Sequence, residues 1–238
     1  MGSSKHPIEN PAFTFSQSII DMRLTNARGS YLTVIFPPWN GADRLIRILE
    51  GRLHRAGSAT LTLALHGQIL RPDIQGVIDS FTYIQEQVSL EIEKLQDKYA
   101  YEAIHLTGIS IGTIPLSLVA QRTKHISKAT FVVGGSRFAP SVWEGARTQG
   151  IRRAFEDKGV SLTELETAWS GLDPAMSATA LKGRPVELYI SETDTFVPTI
   201  YQDELVAALR DSGANVEEHR NKTGHAANIM TYCMKGKL

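Results

Sequence analysis

The chain has 238 residues, 42% hydrophobic and 21% charged, ordinary usage for a protein that buries one sizeable core in a single domain. Its 25 basic and 25 acidic residues leave no formal net charge, and no basic cluster is interleaved with aromatics, which argues against a nucleic-acid surface and suits a neutral small substrate. A lone cysteine, Cys233, excludes an internal disulfide, while the absence of an apolar leader in MGSSKHPIENPAF and of any apolar run of about eighteen residues leads to the expectation of a cytoplasmic protein without a membrane span.

The first β-type signal is FTFSQSIIDMRL, 13–24, read as one or two short edge strands before a turn at 26–29. YLTVIF, 31–36, is a continuous apolar run of the kind buried on both faces of a parallel sheet. The prolines of FPPWNG stop it, since they cannot donate to a ladder. Ala42, Leu45, Leu49 and Leu53 then recur at helical spacing up to Gly57. A strand is expected over 60–65, followed by a Gly- and Pro-punctuated loop, HGQILRPDIQG. Phe81, Ile84, Val88, Ile92, Leu95 and Tyr99 repeat at steps of three and four and predict a long amphipathic helix.

AIHLTGISIGTIPLSLVAQ, 103–121, reads as strand, sharp turn and helix, with a bend expected at Pro115 beyond the first helical turn. Another buried strand covers 130–133. Over 136–184 helical signals replace sheet signals: Ser161 and Glu164 form a capping box, Val160 and Leu165 the staple that often accompanies it, and Trp143, Phe155 and Trp169 are expected to anchor this insert. VELYI after Pro185 is a strand, Tyr201, Leu205, Val206 and Leu209 mark a helix, and a weaker strand near Val216 leads to His225 and a possible terminal helix. Alternating strands and helices select an α/β architecture with a mainly parallel sheet. Its ligands are expected outside the carboxyl ends of the strands. Ser110, the 37–41 loop, the 192–198 loop and His225 all follow strands, so they are expected at one rim.

The chemistry centres on Gly108-Ile109-Ser110-Ile111-Gly112, the G-x-S-x-G pattern of a nucleophile elbow. Glycines flank the serine where strand and helix backbones crowd the turn. The helix N-terminus beyond it favours a developing negative charge. A serine hydroxyl needs a base, and the base needs an acid to orient it. Of the seven histidines, His6, His54, His105, His125 and His219 read as structural or solvated, and His66 as part of an ordinary crossover. His225 in TGHAA is the chosen base. Asp194, in the loop after VELYI, is the chosen acid, with Glu192 as neighbouring rival, Asp173 as a remote one, and helix capping as the structural alternative for Asp194.

With Ser110, Asp194 and His225 in the chain order Ser, Asp, His, the sequence resembles the α/β-hydrolase superfamily from about residue 31 onward. The motifs that carry the resemblance are GISIG, the D-x-x-V-P stretch from Asp194 to Pro198, and Gly224-His225. It implies Ser110 as nucleophile, His225 as base, Asp194 as acid, and 136–184 as a small helical cap inside a single domain spanning 1–238. The oxyanion hole it implies uses the Ile111 N–H and one from FPPWNG; Pro38 has no N–H, leaving Trp39 or Asn40. That loop departs from the family's common His-Gly form.

The implied activity is that of a serine esterase or thioesterase on a small to medium acyl substrate. An acyltransferase or an amidase or peptidase would use the same three residues, and a non-catalytic binding protein on the same fold is the alternative from another class. No cofactor or metal is expected, since paired His or Cys ligands and a phosphate-cradling loop are missing from the pattern. A homo-oligomer stays open.

Overall fold

The computed structural model describes residues 20–39, 41–65 and 69–237. The expectations made for 13–19 and for His6, Asn40 and His66 lie outside them.

One sheet holds β1 (Ile20–Thr25), β2 (Tyr31–Phe36), β3 (Ser58–Leu65), β4 (Ile104–Ile109), β5 (Ile126–Val132), β6 (Pro185–Ser191) and β7 (Asn215–Asn221), in the order β1-β3-β2-β4-β5-β6-β7. β1 pairs antiparallel with β3 at one edge, and the other pairings are parallel. The connections carry α1 (Asp43–Arg55), α2 (Ile74–Tyr99), α3 (Thr113–Arg122), α4 (Phe138–Glu144), α5 (Gln149–Glu156), α6 (Leu162–Trp169) and α7 (Thr199–Asp211), and α8 (His225–Lys235) follows β7.

Side chains alternate across the strands and build a core on each face. Leu32, Val34 and Phe36 of β2, Leu106 of β4, Phe131 of β5 and Leu188 of β6 face one cluster, which α2, α3, α6 and α7 cover with Phe81, Val88, Leu116, Trp169 and Leu205. Ile35, Ile109, Val132 and Tyr189 face the other, under Leu49 and Leu53 of α1 and Ile229 and Tyr232 of α8. Burying each large apolar side chain contributes up to about 2–3 kcal/mol. The central strands are therefore buried and mainly apolar on both faces, as the YLTVIF run predicts, with Thr33, Thr107 and Thr130 as buried polar exceptions.

The insert is anchored by stacked rings. Phe138 of α4 stacks on Trp169 of α6 with ring centres 4.9 Å apart, Phe155 of α5 meets Trp169 edge-on, and Phe81 of α2 meets Phe138 edge-on. Trp143 is only half-buried, with the Arg152 guanidinium 5.3 Å above its ring. The capping box at Ser161 and Glu164 is present.

Three local expectations are corrected. α2 begins at Ile74, seven residues ahead of Phe81, because the Asp73 carboxylate accepts the Gly76 N–H at 3.0 Å and caps the helix there. Gly76 therefore belongs to a first turn rather than to a loop. A Cβ there would stand 2.0 Å from the Arg71 guanidinium and 2.1 Å from the Asp73 carboxylate. β5 begins at Ile126, ahead of the apolar run that marked it. Pro115 is the third residue of α3, inside the first turn, where a missing N–H costs little.

The chain leaves β2 toward β3 on one side and, from β3, crosses to β4 on the other. The carboxyl ends of β2 and β4 thus frame a topological switch point, where the sheet opens a crevice.

Candidate active site

β4 delivers Ser110 to that crevice. Ser110 has φ 54°, a left-handed conformation that a side chain rarely adopts, and opens a single 3-10 turn, Ser110–Gly112, that runs into α3. The glycines on either side make the turn sterically feasible. A Cβ on Gly108 would stand 2.7 Å from the Gly112 carbonyl oxygen, and one on Gly112 would stand 2.2 Å from the Phe36 carbonyl oxygen. The Thr113 hydroxyl donates to the Ser110 carbonyl at 2.7 Å and closes the turn.

His225 is the first residue of α8, carried to the rim by β7. The turn before it is pinned twice. The buried Ser191 hydroxyl donates to the Thr223 carbonyl, and the Asn221 side chain accepts the Thr223 N–H at 3.0 Å. His225 Nε2 lies 2.9 Å from Ser110 Oγ, and Nδ1 lies 2.7 Å from Asp194 Oδ2. A carboxylate only accepts, so Nδ1 carries the hydrogen toward Asp194, and Nε2 is left to accept from the serine hydroxyl.

The Asp194 side chain is fully buried. Its Oδ1 accepts the N–H groups of Phe196 at 2.8 Å and Val197 at 3.0 Å, so both oxygens are engaged. It does not cap α7, whose N-cap is Pro198. Gln202 of α7, wholly buried, braces the loop: it donates to the Val197 carbonyl at 2.8 Å, accepts the Ser191 N–H at 3.2 Å, and stands 3.5 Å from Asp194 Oδ2. The Phe196 ring meets the His225 imidazole edge-on at 5.1 Å.

A cavity of about 240 Å³ opens beside Ser110 and His225. Leu45, Leu70, Ile114, Phe138, Val142 and Ile229 give it apolar walls, and Trp39 and Ile111 also line it. Ile111 is the second residue of the 3-10 turn, so its N–H precedes the first bond inside it. Gly41 at φ 80° donates to the Pro38 carbonyl at 3.0 Å and closes the turn that carries Trp39. The Trp39 indole Nε1 is buried with no partner among the described residues.

The structure thus brings together Ser110, Asp194, His225, Ile111 and Trp39. The rival acids sit elsewhere. Glu192 is exposed, and the Asp173 carboxylate accepts the N–H groups of Ala175 and Arg137, with burial pushing it above the usual carboxylate range. His105 lies within β4 with its ring 4.9 Å from that of Tyr31, and His54 hydrogen-bonds to Thr25 and Thr60. Gln202 escaped sequence reading, although a glutamine three residues before Leu205 and four before Val206, on an otherwise apolar stripe, was a usable signal. Among the described residues, one set of possible metal ligands, Glu187, Glu217 and His219, has its donor atoms within 4.8 Å of one another. Lys128 and Lys237 already pair with its two carboxylates. No helix among the described residues is long and apolar enough to cross a membrane.

No family model and no curated protein matches the sequence. Solved structures do match the fold. An esterase of Pyrococcus furiosus aligns with a TM-score of 0.63 at 14% identity, over 90% of this chain and 79% of its own. A cold-adapted esterase from an Arctic intertidal metagenomic library aligns with a TM-score of 0.63 at 13% identity, over 92% and 87%. An acylaminoacyl peptidase of Pyrococcus horikoshii aligns with a TM-score of 0.65 at 15% identity; this chain covers only 37% of that longer protein.

Proposed function

We propose that this chain, which has the α/β-hydrolase fold, is a serine hydrolase that cleaves carboxylic esters or thioesters through an acyl-enzyme. One observation carries the reading: a continuous hydrogen-bonded line from Ser110 Oγ through His225 to the buried Asp194, with the serine held at a left-handed turn beside a cavity.

In the proposed reaction Ser110 Oγ attacks the acyl carbon while His225 Nε2 takes its proton. Negative charge moves to the carbonyl oxygen, which the Ile111 N–H stabilises together with an N–H from the 37–41 loop. Trp39 is the described residue of that loop for this role, and Asn40 is the alternative. Asp194 holds the imidazole in the required tautomer and balances the imidazolium. The imidazolium then returns its proton to the departing alkoxide or thiolate. Water, deprotonated by the same nitrogen, attacks the acyl-enzyme, and collapse releases the acid and restores Ser110. Residues 136–184 serve as a small cap-like insert within the single domain, since Phe138 and Val142 of α4 supply part of the cavity wall. The apolar walls suit a small to medium acyl group.

Labelling with a fluorophosphonate probe, followed by a panel of acyl esters and thioesters, tests this. Labelling is expected at Ser110, and Ser110→Ala is expected to stay folded while losing about three or more orders of magnitude in kcat/KM. Turnover unaffected by that substitution would exclude the mechanism.

A further inference from the structure

The even overall charge balance conceals a local asymmetry at the cavity. Among the described residues of its wall, Arg147 and His225 are the titratable side chains, and none is a carboxylate. Arg147 is exposed, and its guanidinium lies 5.4 Å over the Phe196 ring, which in turn meets the His225 imidazole edge-on. One aromatic ring therefore separates this cation from the proposed base. Two other arginines of the insert are paired, Arg137 with Glu166 at 2.6 Å and Arg152 with Glu156 at 2.8 Å, and of the insert's arginines Arg147 is the one that lines the cavity. Arg147 has no ion-pair partner among the described residues.

Its backbone is held in place. The Thr148 N–H and hydroxyl both bond the Gly145 carbonyl, at 3.1 and 3.0 Å, closing the turn that projects Arg147. The Ala146 N–H reaches the Thr195 carbonyl at 3.4 Å, and a Cβ on Gly145 would stand 3.1 Å from the Phe196 carbonyl oxygen, so the turn packs against the loop of Asp194. Guanidinium is planar, weakly hydrated and suited to bidentate contact with carboxylate or phosphate. At a cavity whose other described lining residues are apolar or uncharged apart from His225, it rewards an anion more than a neutral group.

We propose, resting on the serine hydrolase reading, that the natural substrate is an ester or thioester carrying an anionic group, carboxylate or phosphate, which Arg147 binds while the apolar walls take the rest. Matched substrates test it. One pair places the charge on the acyl side, the p-nitrophenyl monoester of glutaric acid against p-nitrophenyl pentanoate. The other set places it on the leaving group, carboxymethyl and phosphonomethyl butyrate against carbamoylmethyl butyrate.

Wild type is expected to favour the charged member of at least one set by about 10- to 100-fold in kcat/KM. Arg147→Ala is expected to collapse that charged-to-neutral ratio toward one, with Arg147→Lys in between. Equal kcat/KM within both sets, or a preference that survives Arg147→Ala, overturns the proposal. Absence of fluorophosphonate labelling together with absence of ester turnover would instead count against the hydrolase reading. Binding then decides the anion site by itself: octanoate, and not octanamide, is expected to raise the Tm of wild type and to lose that effect in Arg147→Ala, and an equal shift in both proteins overturns it.

Discussion

Gly112 and Phe36 touch so closely that a methyl group on the glycine would stand 2.2 Å from the Phe36 carbonyl oxygen and 2.7 Å from that of Pro37. The serine turn is thus pressed against the end of β2, where the loop carrying Trp39 departs. Both obstructing atoms belong to backbone, so no side chain can swing aside.

Gly112→Ala is expected to destabilise the fold by about 1–3 kcal/mol, the usual range for overpacking a filled site. Activity is expected to fall further than stability, by about a hundredfold, because a displacement of about 1 Å between nucleophile and oxyanion donors is costly. Thermal unfolding and ester turnover measured on the same preparation check both. A variant with wild-type Tm and wild-type kcat would show that the two loops tolerate separation.

Asp194→Asn separates orientation from packing. The amide oxygen can still accept from the Phe196 and Val197 N–H groups, while its NH2 turns toward His225 Nδ1. That nitrogen must then accept, which puts the hydrogen on Nε2, where the Ser110 proton has to go. A loss of about a thousandfold or more in kcat is expected with the Tm nearly unchanged. The exposed Glu192 supplies the control: Glu192→Gln is expected to stay within about twofold of wild type, as surface changes away from a site usually do little. Equal losses in the two variants would remove Asp194 from its assigned role.

Burial, with a further push from Lys128, lowers His105 from 6.5 to about 4. The folded state therefore resists protonating this ring more than the unfolded chain does. Its contribution to stability is complete above about pH 6.5 and is lost as the pH falls from there through 4, because the unfolded state binds the extra proton in that window. The effect is on the order of 1–3 kcal/mol, reduced by the partial exposure of the ring. His105→Phe keeps an aromatic ring against Tyr31 and cannot ionise. Urea midpoints measured between pH 7 and 4 are expected to fall less steeply for this variant. Parallel pH profiles would place the acid sensitivity elsewhere.

Much of this architecture was written locally. YLTVIF and VELYI are mostly apolar because parallel strands buried on both faces admit few polar side chains, and both are strands; the exceptions are partnered, Thr33 by the Ser58 hydroxyl and Glu187 by Lys128. The Phe81 to Tyr99 periodicity marked α2, but its true start was hidden. Gly76 and Pro72 look like loop punctuation until the Asp73 cap is seen to satisfy the first turn. The glycines around Ser110 were legible as an elbow, since steric crowding at a tight turn dictates residue size within five positions.

The amino-acid sequence by itself determined the elements, their alternation and the candidate chemistry at Ser110, because periodicity, turn sterics and residue type act over a few neighbouring residues. Only the tertiary structure decided what meets what. His225 lies 115 positions from Ser110 and 31 from Asp194, and the bracing of Asp194 by Gln202 and the approach of Arg147 to Phe196 depend on how strands, loops and insert pack. Distances of that kind are set by the register and crossovers of the whole sheet, and no short stretch of chain encodes them.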